Sequence, residues 1–115
     1  MIAFITHSRV SPENAAAFEA VIEDMCAKVR ENEPGVIYYG FARSVDDPDT
    51  YVVIEIYRDE AAVRAHAETD YLKASVSQTS PLIESGRYDI KQYVCGGDAP
   101  IFHRPKHAAR AVPHT

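Results

Sequence analysis

One carboxylate stands inside the most apolar run of the sequence. Glu55 belongs to the segment Tyr51-Val-Val-Ile-Glu-Ile-Tyr57, whose other members are all apolar or aromatic. If this segment is a strand, alternation places Glu55 on the same face as Tyr51, Val53 and Tyr57. A buried carboxylate must be hydrogen-bonded, paired or protonated, and burial raises its pKa. Glu55 is therefore either an acid–base residue or a structural acid bound to a helix end or to an arginine such as Arg43.

His66 is the second candidate for acid–base chemistry, because imidazole exchanges its proton near neutral pH. It lies near the end of a predicted short helix over residues 60–67, beside the start of the next helix. The alternative is a histidine that only binds the last carbonyls of its own helix, and the residues alone favour that alternative. His7, near the end of the first predicted strand, is either a polar contact at the rim of a substrate pocket or a solvated residue.

Tyrosines form the third group of candidates. Tyr39, Tyr57 and Tyr71 fall on faces that point towards a cavity between helices and sheet, where phenol hydroxyls could bind a substrate oxygen and rings could stack on a planar substrate. The remaining tyrosines are expected to pack in the core or at a dimer interface: Tyr38, Tyr51, Tyr88 and Tyr93.

Other motifs do not support a chemical function. The His103-x-x-x-His107 pattern, with His114, lacks an accompanying carboxylate or cysteine, so we expect no metal site. The two cysteines, Cys26 and Cys95, are expected to be free thiols. There is no phosphate-binding loop, dinucleotide fingerprint or serine nucleophile motif.

The elements that position these residues follow from local signals. Alternation predicts a strand over residues 2–9, and Ser11-Pro12-Glu13 begins a helix whose apolar spacing continues to Asn32. Strands are predicted over 36–44 and 50–58, joined by the turn residues 46–49. Two helices follow, 60–67 capped by Asp59 and a second from Asp70 to about Ser80 capped by Thr69. Gly86 is predicted to end the helical stretch, and the last strand covers 87–95.

This order predicts an α+β fold of the ferredoxin-like β-α-β-β-α-β type, with one antiparallel sheet covered by helices on one face. On the opposite face we place an apolar set that consists of Ile2, Phe4, Tyr38, Val52, Ile54 and Ile56. Such a face needs a partner, and a two-fold homodimer that closes the two sheets into a dimeric α+β barrel is the simplest solution. The domain is expected to span residues 1–95, followed by an irregular C-terminal extension over 96–115.

The charge and hydropathy of the chain exclude several classes of partner. The net charge is −5, although residues 99–115 contain three basic residues and no acid, so the body of the domain is acidic. An acidic body repels nucleic acid and anionic membranes. No apolar run reaches the roughly 18–20 residues of a membrane span. The first residues, Met1 to Ile5, have no basic leader, so we expect a cytoplasmic protein.

Several segments, in order and spacing, resemble the antibiotic biosynthesis monooxygenase superfamily over residues 2–95. The matching segments are Glu33-Pro34-Gly35, Asp46-Asp47-Pro48, residues 53–61, Ala65-His66 and Leu72-Lys73-Ala74. The resemblance implies the fold just described, as dimers with a barrel between the subunits. Members include cofactor-free oxygenases of quinols and anthrone-like polyketides, haem-degrading enzymes and isomerases of small signalling sugars, so the fold does not decide the activity.

Two positions depart from the superfamily pattern. Tyr57 stands where many relatives have tryptophan, and Thr69-Asp70-Tyr71 stands where many have Ser/Thr-Pro-His, so a second histidine is missing. A haem-degrading member would need an axial histidine on the long second helix, and the apolar stripe there, which includes Val76, contains none.

The resemblance and the residues together favour a cofactor-independent monooxygenase that oxidises a small aromatic, quinol or polyketide-like substrate with dioxygen. In this hypothesis His66 or Glu55 is the base, and Tyr39, Tyr57 and Tyr71 orient the substrate or stabilise its anion. Two alternatives remain. One is an isomerase of a small oxygenated metabolite that uses the same acid–base groups. The other is a non-catalytic dimeric stress or ligand-binding protein.

Overall fold

The computed structural model describes residues 1–97, and these residues form a four-stranded sheet with helices on one face. The elements are β1 (Ile2–Val10), α1 (Pro12–Asn32), β2 (Val36–Arg43), β3 (Thr50–Tyr57), α2 (Glu60–Ala67), α3 (Asp70–Thr79), a 3₁₀ turn (Ser80–Leu82) and β4 (Ile83–Val94). The strand order is β2-β3-β1-β4, and all neighbouring pairs are antiparallel. The ferredoxin-like α+β prediction is therefore confirmed.

The helices begin where the sequence signals predict. Pro12 is the first residue of α1, and the helix buries Phe18, Ile22, Met25 and Val29 at spacings of three and four. Asp59 and Thr69 cap α2 and α3 by accepting from backbone N–H groups three residues later. The helical stretch after α3 tightens into the 3₁₀ turn at Pro81, as proline predicts.

The last strand begins earlier than predicted. β4 starts at Ile83, which pairs with Val10, and not after Gly86. Four residues of β4 then stand opposite Arg9 alone, and this bulge contains Gly86 at a φ of +74°. Glycine adopts this left-handed conformation without steric cost, so Gly86 shapes an irregularity inside the strand and does not end a helix.

Two residues of β1 lie on the opposite face from the one predicted. Ile2 and Phe4 pair with Tyr57 and Glu55 of β3, so they share the face that the helices cover. β1 carries apolar residues on both of its faces, and its alternation alone therefore does not show which face meets the helices. Val52, Ile54 and Ile56 do lie on the uncovered face, together with Ile5.

Helix α3 buries fewer apolar residues than its predicted stripe suggests. Ser75 and Thr79 are its buried residues, whereas Val76 is half exposed. The main core lies further along the sheet, where Val10, Phe18, Ile22, Tyr51 and Val53 pack together. Val76 instead lines a cavity together with Tyr88 and Ile90 of β4.

Three sequence predictions are not tested by this structure. Residues 98–115, which include His103, His107 and His114, lie outside the described residues, so the proposed division into 1–95 and 96–115 stays a prediction. The homodimer and the cytoplasmic location also stay predictions. Among residues 1–97, no helix is both long enough and apolar enough to span a membrane.

Candidate active site

A buried glutamate–histidine pair lies where α1 ends against α2. Both carboxylate oxygens of Glu33 are 3.0 Å from His66 Nδ1, and the two side chains are only 7% and 6% exposed. The chain turns sharply after Glu33 and passes close to α2, where a Cβ at Gly35 would lie 2.7 Å from that of Ala62. Glycine suits that position because a Cβ there would force either this turn or α2 to shift.

Two side chains at the start of α3 donate hydrogen bonds to this pair. The Tyr71 hydroxyl donates to Glu33 Oε2, and the Thr69 hydroxyl donates to the His66 carbonyl over 2.8 Å. Burial and the neighbouring Glu33 carboxylate raise the pKa of Tyr71 to about 12. Tyr71 therefore holds Glu33 in place and does not contact the cavity, contrary to the expectation that it points there.

These contacts determine which imidazole nitrogen carries the proton. A carboxylate only accepts hydrogen bonds, so Glu33 requires a proton on His66 Nδ1. In the neutral imidazole this leaves a lone pair on Nε2, as in sites where a carboxylate orients a working histidine. Among residues 1–97, Nε2 is a buried side-chain nitrogen without a hydrogen-bond partner. A nitrogen held in this way can accept a proton, as a general base does.

Glu55 faces the same imidazole from the sheet. Its side chain is 13% exposed, and Oε1 lies 3.8 Å from His66 Nε2, which is too far for a hydrogen bond. The Tyr57 hydroxyl donates to Glu55 Oε1. Burial raises the pKa of Glu55, although the Tyr57 hydrogen bond and His66 oppose this rise. Burial and the Glu55 charge also raise the pKa of Tyr57, which keeps its proton.

His66 and Glu55 both line a cavity of about 280 Å³ between the sheet and helices α2 and α3. Val76, Tyr88 and Ile90, each about half exposed, form part of its wall. None of its lining residues is a lysine or an arginine. The full lining is Phe4, Thr6, Glu55, Tyr57, Val63, His66, Ala67, Leu72, Val76, Tyr88 and Ile90. Such a cavity suits an uncharged, largely apolar ligand with few polar atoms.

Two other predicted site residues lie outside this cavity. The Tyr39 ring packs against His66, with ring centroids 5.4 Å apart, but Tyr39 lines a second cavity with Cys26 and Arg30. His7 is exposed and shares the uncovered face of the sheet with Ile5, so it is not brought together with His66. The prediction that His7 lies at the rim of the same pocket is wrong, because strand alternation directs its side chain away from the helices.

Glu33 is the site residue that sequence reasoning did not identify. One signal was available, because an acidic residue directly after the last turn of a helix opposes the helix dipole and needs another reason to be there. Tyr57 was placed correctly on the cavity face, as was Glu55. The alternative partner suggested for Glu55, Arg43, instead lies 3.9 Å from Glu19. Within residues 1–97, no group of three histidine, cysteine or acidic side chains could hold a metal ion.

Comparisons with known proteins give the family and the fold of the chain. The sequence profile of the family described as "Antibiotic biosynthesis monooxygenase" matches residues 1–78. The protein YcnE of Bacillus subtilis (strain 168), whose name assigns it provisionally to the monooxygenases, is 27% identical over 85 residues, which cover 74% of this chain and 88% of YcnE.

Solved structures give the same result. A crystal structure from Caulobacter crescentus CB15, also provisionally named an antibiotic biosynthesis monooxygenase, is 34% identical with a TM-score of 0.78. The match covers 84% of this chain and 90% of that one. A Deinococcus radiodurans structure with the same provisional name has a TM-score of 0.77 at 17% identity, and the match covers 90% of this chain and 100% of that one, which supports the fold alone.

Proposed function

Because the chain belongs to the antibiotic biosynthesis monooxygenase family, we propose that it is a cofactor-independent monooxygenase that oxidises a small, uncharged aromatic, quinol or polyketide-like substrate with dioxygen. One observation carries the proposal. His66 Nε2, oriented by Glu33 through the opposite ring nitrogen, is buried without a partner beside an apolar cavity. A base in this setting is matched to a substrate whose proton is removed in a dry site.

The reaction needs only the substrate and dioxygen. His66 Nε2 removes a proton from a hydroxyl or an activated carbon of the substrate, which leaves an electron-rich anion. The anion passes one electron to dioxygen, and the two radicals join through a carbon–oxygen bond as a peroxide anion. His66 returns the proton to the peroxide, its O–O bond breaks, and the distal oxygen leaves as water with the hydrogen of the oxidised carbon. The product gains one oxygen atom as a carbonyl.

The residues around His66 suit these reaction steps. Glu33 lies against the imidazolium that forms when His66 accepts the proton, and opposite charges at 3.0 Å stabilise it. Phe4 and Leu72 line the cavity and His66 Nε2 is covered from solvent, which limits water near the anion. Since no cation lines the cavity, an anionic substrate would be poorly bound there.

The test is oxygen consumption with a naphthohydroquinone, measured against the rate of uncatalysed oxidation. Heavy-isotope dioxygen should place one labelled oxygen atom in the product and the other in water. His66→Ala should lower turnover by about 10²–10⁴-fold with the fold retained by circular dichroism. Glu19→Ala, which removes a carboxylate that does not line this cavity, is the control and should not change the rate. Equal turnover in His66→Ala and the wild type would remove His66 from the mechanism.

An isomerase of a small oxygenated metabolite is the second candidate. The observation that favours it is the opposition of His66 and Glu55 at 3.8 Å, because a base and an acid facing one substrate can move a proton between two of its atoms. Substrate turnover without oxygen consumption would identify this activity. A non-catalytic role would leave His66→Ala and the wild type indistinguishable in both assays.

We further propose that the working molecule is a homodimer joined through the uncovered sheet face. Ile5, Val52, Ile54 and Ile56 form an apolar centre on this face, and Tyr38 beside them is 47% exposed. A self-complementary apolar face is the usual basis of a two-fold interface. Light scattering should give twice the chain mass for the wild type and the single chain mass for Ile54→Arg. A monomeric wild type would contradict the proposal.

A further inference from the structure

We propose that the gap between His66 and Glu55 is a seat for one oxygen atom, in which an aromatic hydroxyl binds as its oxyanion between His66 Nε2 and a protonated Glu55. The substrate class rests on the proposed function. The new content is a division of roles, in which His66 takes the proton and Glu55 donates a hydrogen bond to the anion that remains.

The first observation behind this proposal is the distance between the two side chains. His66 Nε2 and Glu55 Oε1 are 3.8 Å apart, too far to satisfy each other directly. One oxygen atom at ordinary hydrogen-bond length, about 2.8 Å, can reach both at once. Because Nε2 has no partner within the described residues, that oxygen would also satisfy a buried acceptor that is otherwise unpaired.

The balance of charge determines the roles. After proton transfer, the imidazolium lies between the Glu33 carboxylate and the oxyanion, with a negative group on each side. An ionised Glu55 would place a third negative group directly against the oxyanion, and no lysine or arginine lines the cavity to compensate. The oxyanion therefore requires a protonated Glu55. Burial raises the pKa of Glu55, which acts in the same direction.

Tyr57 is a positioning residue in this arrangement. Its hydroxyl donates to Glu55 Oε1, and its ring, 1% exposed, packs edge-on against Phe4 with ring centroids 5.8 Å apart. These contacts hold the carboxyl opposite Nε2. Nε2 is covered from solvent in this conformation, so entry of the hydroxyl requires a rotamer change at the cavity wall, a motion that is fast for side chains.

The seat can be tested by binding alone, with a nitrophenol whose phenolate absorbs in the visible. At a pH below the solution pKa of the probe, the wild type should bind it and produce the phenolate spectrum. Glu55→Gln should retain this spectrum, because an amide NH2 in the position of Oε1 donates one N–H to the anion and the other to the Tyr57 hydroxyl, which then accepts. Glu55→Ala should weaken binding of the phenolate by about ten- to a hundredfold. His66→Gln should bind the probe without ionising it, and Glu19→Ala, outside this cavity, should behave as the wild type.

The outcomes separate this inference from the proposed function. No binding, or binding of the un-ionised phenol by the wild type, would overturn the seat, even if the quinol assay shows oxygen consumption. Loss of the phenolate spectrum in Glu55→Gln would also overturn it, because Glu55 would then act through its charge. Phenolate binding by a wild type that consumes no oxygen with quinols would leave the seat in place and refute the monooxygenase.

Discussion

On the helix-facing side of the sheet, two buried tyrosines each donate to a glutamate, and these two contacts look alike but differ in what surrounds them. β3 places Tyr51 and Tyr57, each 1% exposed, six residues apart on the same face. The Tyr51 hydroxyl donates to Glu19 of α1, and the Tyr57 hydroxyl donates to Glu55. We refer to Tyr51, Glu19 and Arg43 as the Tyr51 cluster. The Tyr57 cluster consists of Tyr57, Glu55, His66, Glu33 and Tyr71.

The charges in the Tyr51 cluster are balanced. Arg43 Nη1 lies 3.9 Å from Glu19 Oε2, so a cation compensates the single carboxylate. The Tyr51 ring packs against Phe18 and Phe41, at centroid distances of 5.0 and 6.3 Å. Every polar group in this cluster has a partner or reaches solvent, and the result is a packed part of the core.

The charges in the Tyr57 cluster are not balanced. It contains two carboxylates, and within residues 1–97 neither Glu33 nor Glu55 forms an ion pair with a lysine or an arginine. It also contains the unpartnered Nε2 of His66 and borders a cavity. A glutamate that accepts from a buried tyrosine is thus not by itself a sign of function in this protein. The sign is a buried acid–base cluster that lacks compensation, since such an arrangement costs stability and needs another use.

The largest expected effect comes from removing one glutamate from each cluster. Glu33→Ala should lower turnover by about a hundredfold or more, because the imidazole loses the group that selects its tautomer and orientation. Glu19→Ala should leave turnover unchanged and reduce the free energy of unfolding by about 1 kcal/mol, because only a structural hydrogen bond is lost. Steady-state kinetics and urea unfolding of both variants measure the difference. A similar loss of turnover in the two variants would contradict the distinction between the two clusters.

The free energy of unfolding should also depend on pH differently in the two clusters. We expect this effect to be smaller than the loss of turnover in Glu33→Ala. A raised pKa in the folded state means that Glu55 stabilises the protein while protonated, and that this contribution is lost as pH rises above the unfolded value of about 4.3. Glu55→Gln should therefore be more stable than the wild type at pH 7 and equal to it near pH 4.

The control for this measurement is Glu19→Gln. It replaces a carboxylate that has both Tyr51 and Arg43 beside it, so it should be less stable than the wild type at pH 7. Thermal unfolding from pH 4 to pH 8 measures both variants. A Glu55→Gln variant that becomes less stable than the wild type as pH rises would contradict the prediction, because ionised Glu55 would then stabilise the folded protein.

The smallest expected effect comes from Tyr71. Tyr71→Phe removes one hydrogen bond to Glu33 but leaves both contacts of Glu33 with His66 Nδ1. Turnover should fall by about two- to tenfold, far less than in Glu33→Ala, because the tautomer is still selected. Tyr51→Phe, the matched change in the Tyr51 cluster, should leave turnover unchanged. A loss in Tyr71→Phe as large as that in Glu33→Ala would assign Tyr71 a direct role in the chemistry.

Local signals in the sequence were sufficient for most of the fold. The bounds of α1, the caps at Asp59 and Thr69, and the tightening at Pro81 each depend on residues within one or two turns. The position of Glu55 and Tyr57 on the helix-facing side of β3 also followed from alternation. Where a signal was ambiguous, as on β1 with apolar residues on both faces, the predicted orientation of Ile2 and Phe4 was wrong.

The sequence by itself determined the elements, their order and the two residues that most needed an explanation, Glu55 and His66, because helix caps, alternation and polarity are local properties. Only the tertiary structure decided that Glu33 binds His66 across 33 positions of sequence, that Tyr71 lies behind the pair, and that Nε2 faces Glu55. Hydrogen bonds between distant residues depend on how α1, α2 and α3 pack on the sheet. No spacing along the chain encodes that packing.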